Sequence, residues 1–386
     1  MNTAGPTENP EPIACGVAGD FAGWLAARSG SLAVTTYQAN KVALVGFDGG
    51  VTALFRQFPR PMGLAVDGPR MAVALNDQVW ILADAPDLGR AYAEGENDPA
   101  AGRYDACYLP RLAYFTGPID AHDLAFAGDE LWLVNTRFSC LAQPGPGHSF
   151  VPKWRPPFVS GLAPEDRCHL NGLTLVDGEP RYVTALAATD TAQGWRPVKA
   201  HGGVIVDVPT SRVVQHTLSM PHSPRWHEGR LWFLNSGAGE LCVCDPPRPG
   251  YTVVAILPGF LRGLCFVDGF AVVGLSKLRP SGVLAGLPIQ NRFPELTCGV
   301  AIVDLSDGRT VGTFEFTGGC SELYEVQWLA GRRRPMLLNP ERLEKVQAFL
   351  TPEQGWWVEA GGEGNTITGN HPGRSVGCGA EPVPGG

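Results

Sequence analysis

Charge is scarce in this chain, and positive charge scarcer still. Only 18% of the 386 residues are charged, and 38 acidic against 30 basic side chains leave a net charge of −8. Binding nucleic acid or an anionic membrane needs a basic excess or stripe, so no nucleic acid and no membrane partner is expected. No apolar run approaches the roughly 18 residues that read as a membrane-spanning helix. The first twenty residues have neither a basic n-region nor an apolar h-region, which gives a cytoplasmic location as the expectation. The ten cysteines include no Cys-x-x-Cys pair, so reduced and mostly packed thiols are expected. Common catalytic signatures are missing too: there is no Gly-x-Ser-x-Gly elbow, Walker A loop, Gly-x-Gly-x-x-Gly after a strand, or His-Glu-x-x-His helix.

Turn formers, in contrast, are plentiful. The 49 Gly and 34 Pro make up more than a fifth of the chain, beside 44% hydrophobic residues. That mixture suits many short strands joined by many turns and excludes a mainly helical protein. Internal repeats give the strands an order. His122-Asp-Leu-Ala-Phe-Ala-Gly-Asp-Glu-Leu-Trp-Leu-Val-Asn135 aligns without a gap on His222-Ser-Pro-Arg-Trp-His-Glu-Gly-Arg-Leu-Trp-Phe-Leu-Asn235. Weaker copies start at Met62, Asn171, Arg262 and Tyr324, so six units follow one another at spacings of 40 to 62 residues. Each reads as a strand, a tight turn of Asp-Gly type and a second apolar strand, followed by one or two more.

Units of this length predict an all-β, six-bladed β-propeller. The sixth unit runs out of strands after Met336, while strands near residues 31–37, 41–46 and 51–55 have no unit of their own. A closing blade shared between the chain ends resolves both. Residues 20–28 read as a short helix with Asp20 as N-cap; as the start of a further blade they would make seven. The expected organisation is a flexible N-terminus over 1–19, one propeller domain over 20–350 and a disordered C-terminal tail over 360–386.

In a propeller the first strand of each blade lines the central channel, and alternate residues face it. The repeat places Met62, His122, Asn171, His222, Arg262 and Tyr324 there, with Arg60, Asp120, His169, Met220, Phe260 and Glu322 two residues earlier. Three of only eight histidines fall on these twelve positions, where an even spread would put fewer than one. Imidazoles converging from three blades can hold a metal while leaving a position open. We therefore expect His122, His169 and His222 to bind a divalent transition metal, with Zn, Fe and Cu equally suited to such ligands. Glu322, Tyr324 and Glu325 are candidates to move a proton. Long connections at residues 136–165, 188–202 and 276–294 are expected to roof the same face. They bring Arg137, Arg155, Arg196 and Lys277, which join Arg262 and Asn171 as candidates to bind a small anionic molecule or peptide.

At Ser31-Leu-Ala-Val-Thr-Thr-Tyr-Gln, Trp154-Arg-Pro-Pro-Phe, Glu165-Asp-Arg-Cys-His-Leu-Asn-Gly, Pro221-His-Ser-Pro-Arg-Trp and Phe260-Leu-Arg-Gly-Leu the chain resembles a bacterial family of hypothetical proteins of unknown function, over about residues 20 to 340. More distantly, Pro224-Arg-Trp-His-Glu-Gly-Arg-Leu-Trp-Phe resembles the inner-strand motif of the gluconolactonase and regucalcin propellers. Their metal ligands are carboxylates and Asn, whereas this ring is rich in His. In that respect it is more similar to the peptide-amidating lyase propeller, whose Zn is held by three histidines from different blades. These readings together imply a metal-dependent enzyme of lyase or hydrolase type. An Fe- or Cu-dependent oxygenase or oxidase at the same site, and a non-catalytic binding or assembly module, are the alternatives.

Overall fold

The computed structural model describes residues 12–93, 100–278, 285–343 and 346–359, and the backbone of 367–370. Six sheets stand around one axis as a six-bladed β-propeller. The inner strands of blades 1 to 6 are Leu64–Asp67, Ala121–Ala127, Leu170–Val176, Pro221–His227, Phe260–Val267 and Glu325–Ala330. Blades 1 to 5 each continue outward through three further antiparallel strands in chain order.

Blade 6 closes the ring between the chain ends as expected, but the strand at Met336, read as the second of this unit, instead lies parallel to Ala106–Phe115 on the outside of blade 1. The inner strand of blade 6 comes from the C-terminal side, and Gly30–Thr36, Lys41–Phe47 and Val51–Gln57 supply the other three strands. Thr35 pairs with Glu325 and Gly30 with Ala330, so backbone hydrogen bonds join the two ends of the ring. The alternative of seven blades fails at residues 20–28. The helix there, Phe21–Ala26, has Asp20 at its N-cap position, although the Asp20 side chain makes no capping bond. It is held instead by burying Phe21, Trp24 and Leu25 between blades 5 and 6.

Each blade packs both faces against its neighbours, so middle strands are apolar on both sides rather than alternating. Val42, Ala43, Leu44 and Val45 are all buried in succession, as are Ala271, Val272 and Val273. The core is accordingly divided into wedges between adjacent blades: Leu44, Leu64 and Val73 pack between blades 6 and 1, and Leu234, Leu264 and Val273 between blades 4 and 5.

Two boundaries differ from expectation. The ordered chain starts before residue 20, because Ala14–Gly19 adds a fifth strand to blade 5 beside Thr310–Gly318. Beyond the ring, Val346–Leu350, Gln354–Glu359 and Ile367–Asn370 form a separate three-stranded sheet. The Trp357 indole N–H docks it by donating to the Leu88 carbonyl at 3.0 Å. Residues 1–11, 360–366 and 371–386 of the expected termini lie outside the described residues. No helix among the described residues is long and apolar enough to cross a membrane.

Candidate functional site

A cavity of about 630 Å³ opens at one end of the channel, a size that suits a small-molecule ligand. Nine of the twelve positions marked by the repeat line it: Arg60, Met62, Asp120, His122, His169, Met220, Arg262, Glu322 and Tyr324. Their local geometry is unlike the continuous extended strand assumed from sequence. Arg60, Asp120, His169 and Met220 each take φ near +50°, a left-handed conformation uncommon for residues with a side chain. The turn carries them into the channel mouth ahead of the strand proper. In blades 2 and 4 the carbonyl of that residue meets the imidazole two residues on: His122 Nδ1 lies 2.8 Å from the Asp120 carbonyl and His222 Nδ1 2.8 Å from the Met220 carbonyl.

That repeated contact decides the chemistry of the two rings. A carbonyl only accepts, so Nδ1 carries the hydrogen, and Nε2 keeps its lone pair while the ring is neutral. Burial, with His169 and the Arg262 guanidinium nearby, pushes the His122 pKa well below its ordinary value. Burial and the Arg262 guanidinium do the same to His222. Both rings are therefore neutral at physiological pH. His222 Nε2 is buried with no hydrogen-bond partner. His169 is held differently, with Nδ1 2.9 Å from the Asp166 carboxylate and its ring 4.5 Å from Trp195. The His122 and His169 rings meet edge to face at 4.8 Å between centroids.

Charge is distributed around these rings. Asp120 bridges Arg60 at 2.7 Å and Arg137 at 3.3 Å. The Arg262 guanidinium lies over Phe260 and Tyr324, 5.2 and 5.0 Å from the ring centres. Glu322 accepts a hydrogen bond from the Tyr37 hydroxyl. Burial raises the Tyr324 pKa well above its ordinary value, so the phenol keeps its proton, and its buried hydroxyl has no partner.

The remaining expected residues divide. Arg137 and Arg196 line the cavity, Arg196 resting 4.8 Å from the Trp195 ring centre. Asn171 is buried behind it, its carbonyl accepting from the Thr184 hydroxyl at 2.6 Å. Arg155 is not brought in, because its guanidinium caps the Val159 and Ser160 carbonyls. Lys277 lines a separate cavity. The connection expected over 136–165 also proves shorter, since Cys140–Gly145 and His148–Trp154 are strands of blade 2. Tyr37, Asp166, Gln193 and Trp195 line the cavity and lie outside the repeat.

Glu325 is displaced from the expected proton-moving group. Its carboxylate receives Arg225 at 3.0 Å, in a buried network that also includes Asp123. Burial, reinforced by Asp123 and opposed by Arg225, pushes the Glu325 carboxyl up to about 7. The folded protein thus holds this proton more tightly than the unfolded chain, where the group titrates near 4.5. The resulting stabilisation is complete below pH 4.5 and is lost as pH rises through about 7. Thermal melts should show stability declining from pH 5 to pH 8 by on the order of 2 kcal/mol. Glu325→Gln should lack the decline, and an equal decline in that variant would assign it to another group.

No group of three or more His, Cys, Asp or Glu among the described residues is drawn together as a metal cage. The family described as "Domain of unknown function (DUF4915)" matches residues 19–338. Comparison with curated proteins gives no match. Among solved structures, a chain of the crystal structure of a nidogen/laminin complex is similar at TM-score 0.50 and 10% identity, covering 78% of this chain and 99% of that one. A computationally designed protein, Ika8, aligns at TM-score 0.33 and 9% identity over 82% of this chain and 77% of its own. The nidogen/laminin likeness bears on fold alone.

Proposed function

This chain belongs to the DUF4915 family of unknown function, so its role has to be read from its own channel, and we propose a metal-dependent enzyme acting on a small anionic molecule. One observation carries the reading: the three channel imidazoles are each anchored through Nδ1, which leaves Nε2 of each as the available donor. Metal-ligating histidines are usually held in this way, with the other ring nitrogen bonded to a carbonyl or carboxylate. The buried, unpartnered Nε2 of His222 fits the same role. His122 and His169 line the cavity and His222 does not, so the three would hold the ion only once side-chain movement draws them together, and a divalent transition metal would supply Lewis acidity there. Tyr324 offers a buried hydroxyl that keeps its proton, and Glu322 offers a carboxylate already bonded to Tyr37. Calorimetric titration of the metal-stripped full chain with Zn(II), Fe(II) and Cu(II) should find one saturable site. Absence of any binding tighter than that of a denatured control would remove the proposal.

A second reading is favoured by Arg262, whose guanidinium lies near enough to both His122 and His222 to depress their pKa values. In it the cavity binds an anion without metal, as a binding module. Both readings make Arg262 the anion anchor. Its buried Nε has no partner, and a guanidinium can hold a carboxylate bidentately. Arg262→Met should weaken binding of acetate, succinate or citrate roughly 10- to 100-fold, the size of a lost charged hydrogen bond. Raising the salt concentration should weaken binding to the unaltered protein as well. Normal, salt-independent affinity in the variant would rule out the anchor and leave Arg262 a blade-fixing partner of Glu322. Metal specificity among Zn, Fe and Cu then separates hydrolytic from oxidative chemistry, and oxygen uptake with candidate substrates tests the latter.

A further inference from the structure

Most described cysteines are packed in the wedges between blades, where burial pushes their thiols up. Two in blade 5 are arranged differently. Cys298 immediately precedes the strand Gly299–Asp304, and Cys320 follows Thr310–Gly318, so the sheet brings both to the same end of the blade. Their sulfurs lie 4.0 Å apart within a thiol-to-thiol hydrogen bond. Cys298 is 1% exposed, whereas Cys320 is 6% exposed and borders a separate cavity of about 540 Å³ with Lys277. One thiol is thus reachable by a small solute, and the other waits directly behind it.

We propose that Cys320 and Cys298 form a peroxide-reactive dithiol site that closes to a disulfide. The Cys320 sulfur attacks one oxygen of hydrogen peroxide, the O–O bond breaks, and hydroxide leaves and is protonated to water. Cys320 is then a sulfenic acid. The Cys298 sulfur attacks it, the S–S bond forms, the S–O bond breaks, and a second water leaves. Two thiols have lost two electrons and the peroxide has gained them. The attacking order follows from access. A thiolate is the nucleophile, either thiol of the pair can donate to the other and so hold its thiolate, and Cys320 is the one that borders the cavity. Cys15 is nearby and more exposed, but burial and the Cys320 charge push its thiol up to about 11.

A short segment joins the site to the channel. Glu322 lines the channel cavity two residues after Cys320, and Ser276 pins Leu323 by accepting its N–H at 2.9 Å and donating to its carbonyl at 3.1 Å. The dithiol reading stands independently of metal binding.

The test uses the full chain, reduced with dithiothreitol, desalted and exposed to hydrogen peroxide. Peptide mapping without reductant should find a Cys298–Cys320 link that dithiothreitol reverses, with Cys320 reacting at least about ten times faster than Cys107. Cys15→Ser should form the link at the unaltered rate. Cys298→Ser and Cys298→Ala should instead accumulate a dimedone-trapped sulfenic acid at Cys320, and two replacements guard against a folding defect in either. Peroxide that leaves both thiols free, or a Cys15–Cys320 link in place of the expected one, would overturn the proposal.

Discussion

Replacing Arg225 by methionine is expected to destabilise the propeller by about 3–5 kcal/mol, the usual cost of removing one partner from a buried ion pair. The size follows from what one guanidinium does here. It reaches Asp123 of blade 2 at 2.9 Å, the Leu173 carbonyl of blade 3 at 3.2 Å, the Leu264 carbonyl of blade 5 at 3.0 Å and Glu325 of blade 6 at 3.0 Å. Standing itself on blade 4, it ties five blades together on the axis. Asp123 extends the knot by accepting the Leu173 N–H at 3.0 Å. Methionine would leave two carboxylates facing each other in a buried site, with the Leu173, Pro224 and Leu264 carbonyls short of a donor. Urea unfolding measures the loss. The triple variant Asp123→Asn, Arg225→Met, Glu325→Gln should recover part of it, because no uncompensated charge remains. A loss below 1 kcal/mol in the single variant would show that the wedges between blades hold the ring unaided.

The legible part of this protein is the part that repeats. Each blade presents the same strand to the axis and packs on its neighbours in the same way, so the positions of His122 and His222 mark Met62, Arg262 and Tyr324 as well. The ring closure could be read for the same reason, since three N-terminal strands needed an inner partner and the sixth unit needed outer ones. What lies outside the period was not readable. Asp166 and Trp195 reach the cavity from connections whose course depends on tertiary contacts, such as the Trp195 indole N–H donating to Asp166 at 3.0 Å. Arg225 stands three residues after His222, off the aligned position, because the inner strand of blade 4 is irregular between His222 and Arg225. A rule of strict alternation cannot follow a chain through such a bulge. Glu325 lies off the cavity for a related reason: its neighbour Tyr324 faces the cavity, so on an extended strand Glu325 turns away from it and meets Arg225.

The left-handed residues before the inner strands link the fold to the site. Holding non-glycine residues such as Asp120, His169 and Met220 at φ near +50° costs on the order of 1–3 kcal/mol each, and such conformations cluster at functional sites. In blades 2 and 4 the structural return is the same: a carbonyl placed to fix the imidazole two residues on. The two blades whose inner segments align without a gap thus hold their histidines by one device.

The double substitution His122→Ala, His222→Ala follows from that device and should lower Zn(II) affinity by at least about 100-fold, to the level of a surface histidine site. Two of three proposed ligands disappear, while the cavity walls formed by Tyr324, Arg262 and Trp195 remain. Asp166→Asn is the subtler companion. It leaves every ligand in place but replaces the carboxylate that orients His169 at 2.9 Å, and partners of this kind are typically worth 10- to 100-fold in metal affinity. Its loss should therefore be real but smaller than that of the double variant. Circular dichroism and urea midpoints establish that each variant is folded, and calorimetry reads the affinity. An ordering in which Asp166→Asn weakens the metal while the double variant does not would place the ion on His169 and neighbouring carboxylates, away from the ring of imidazoles. Unchanged affinity in both would leave the anchored Nε2 atoms as hydrogen-bond acceptors for a ligand bound without metal, with the buried His222 nitrogen as the group that such a ligand has to satisfy.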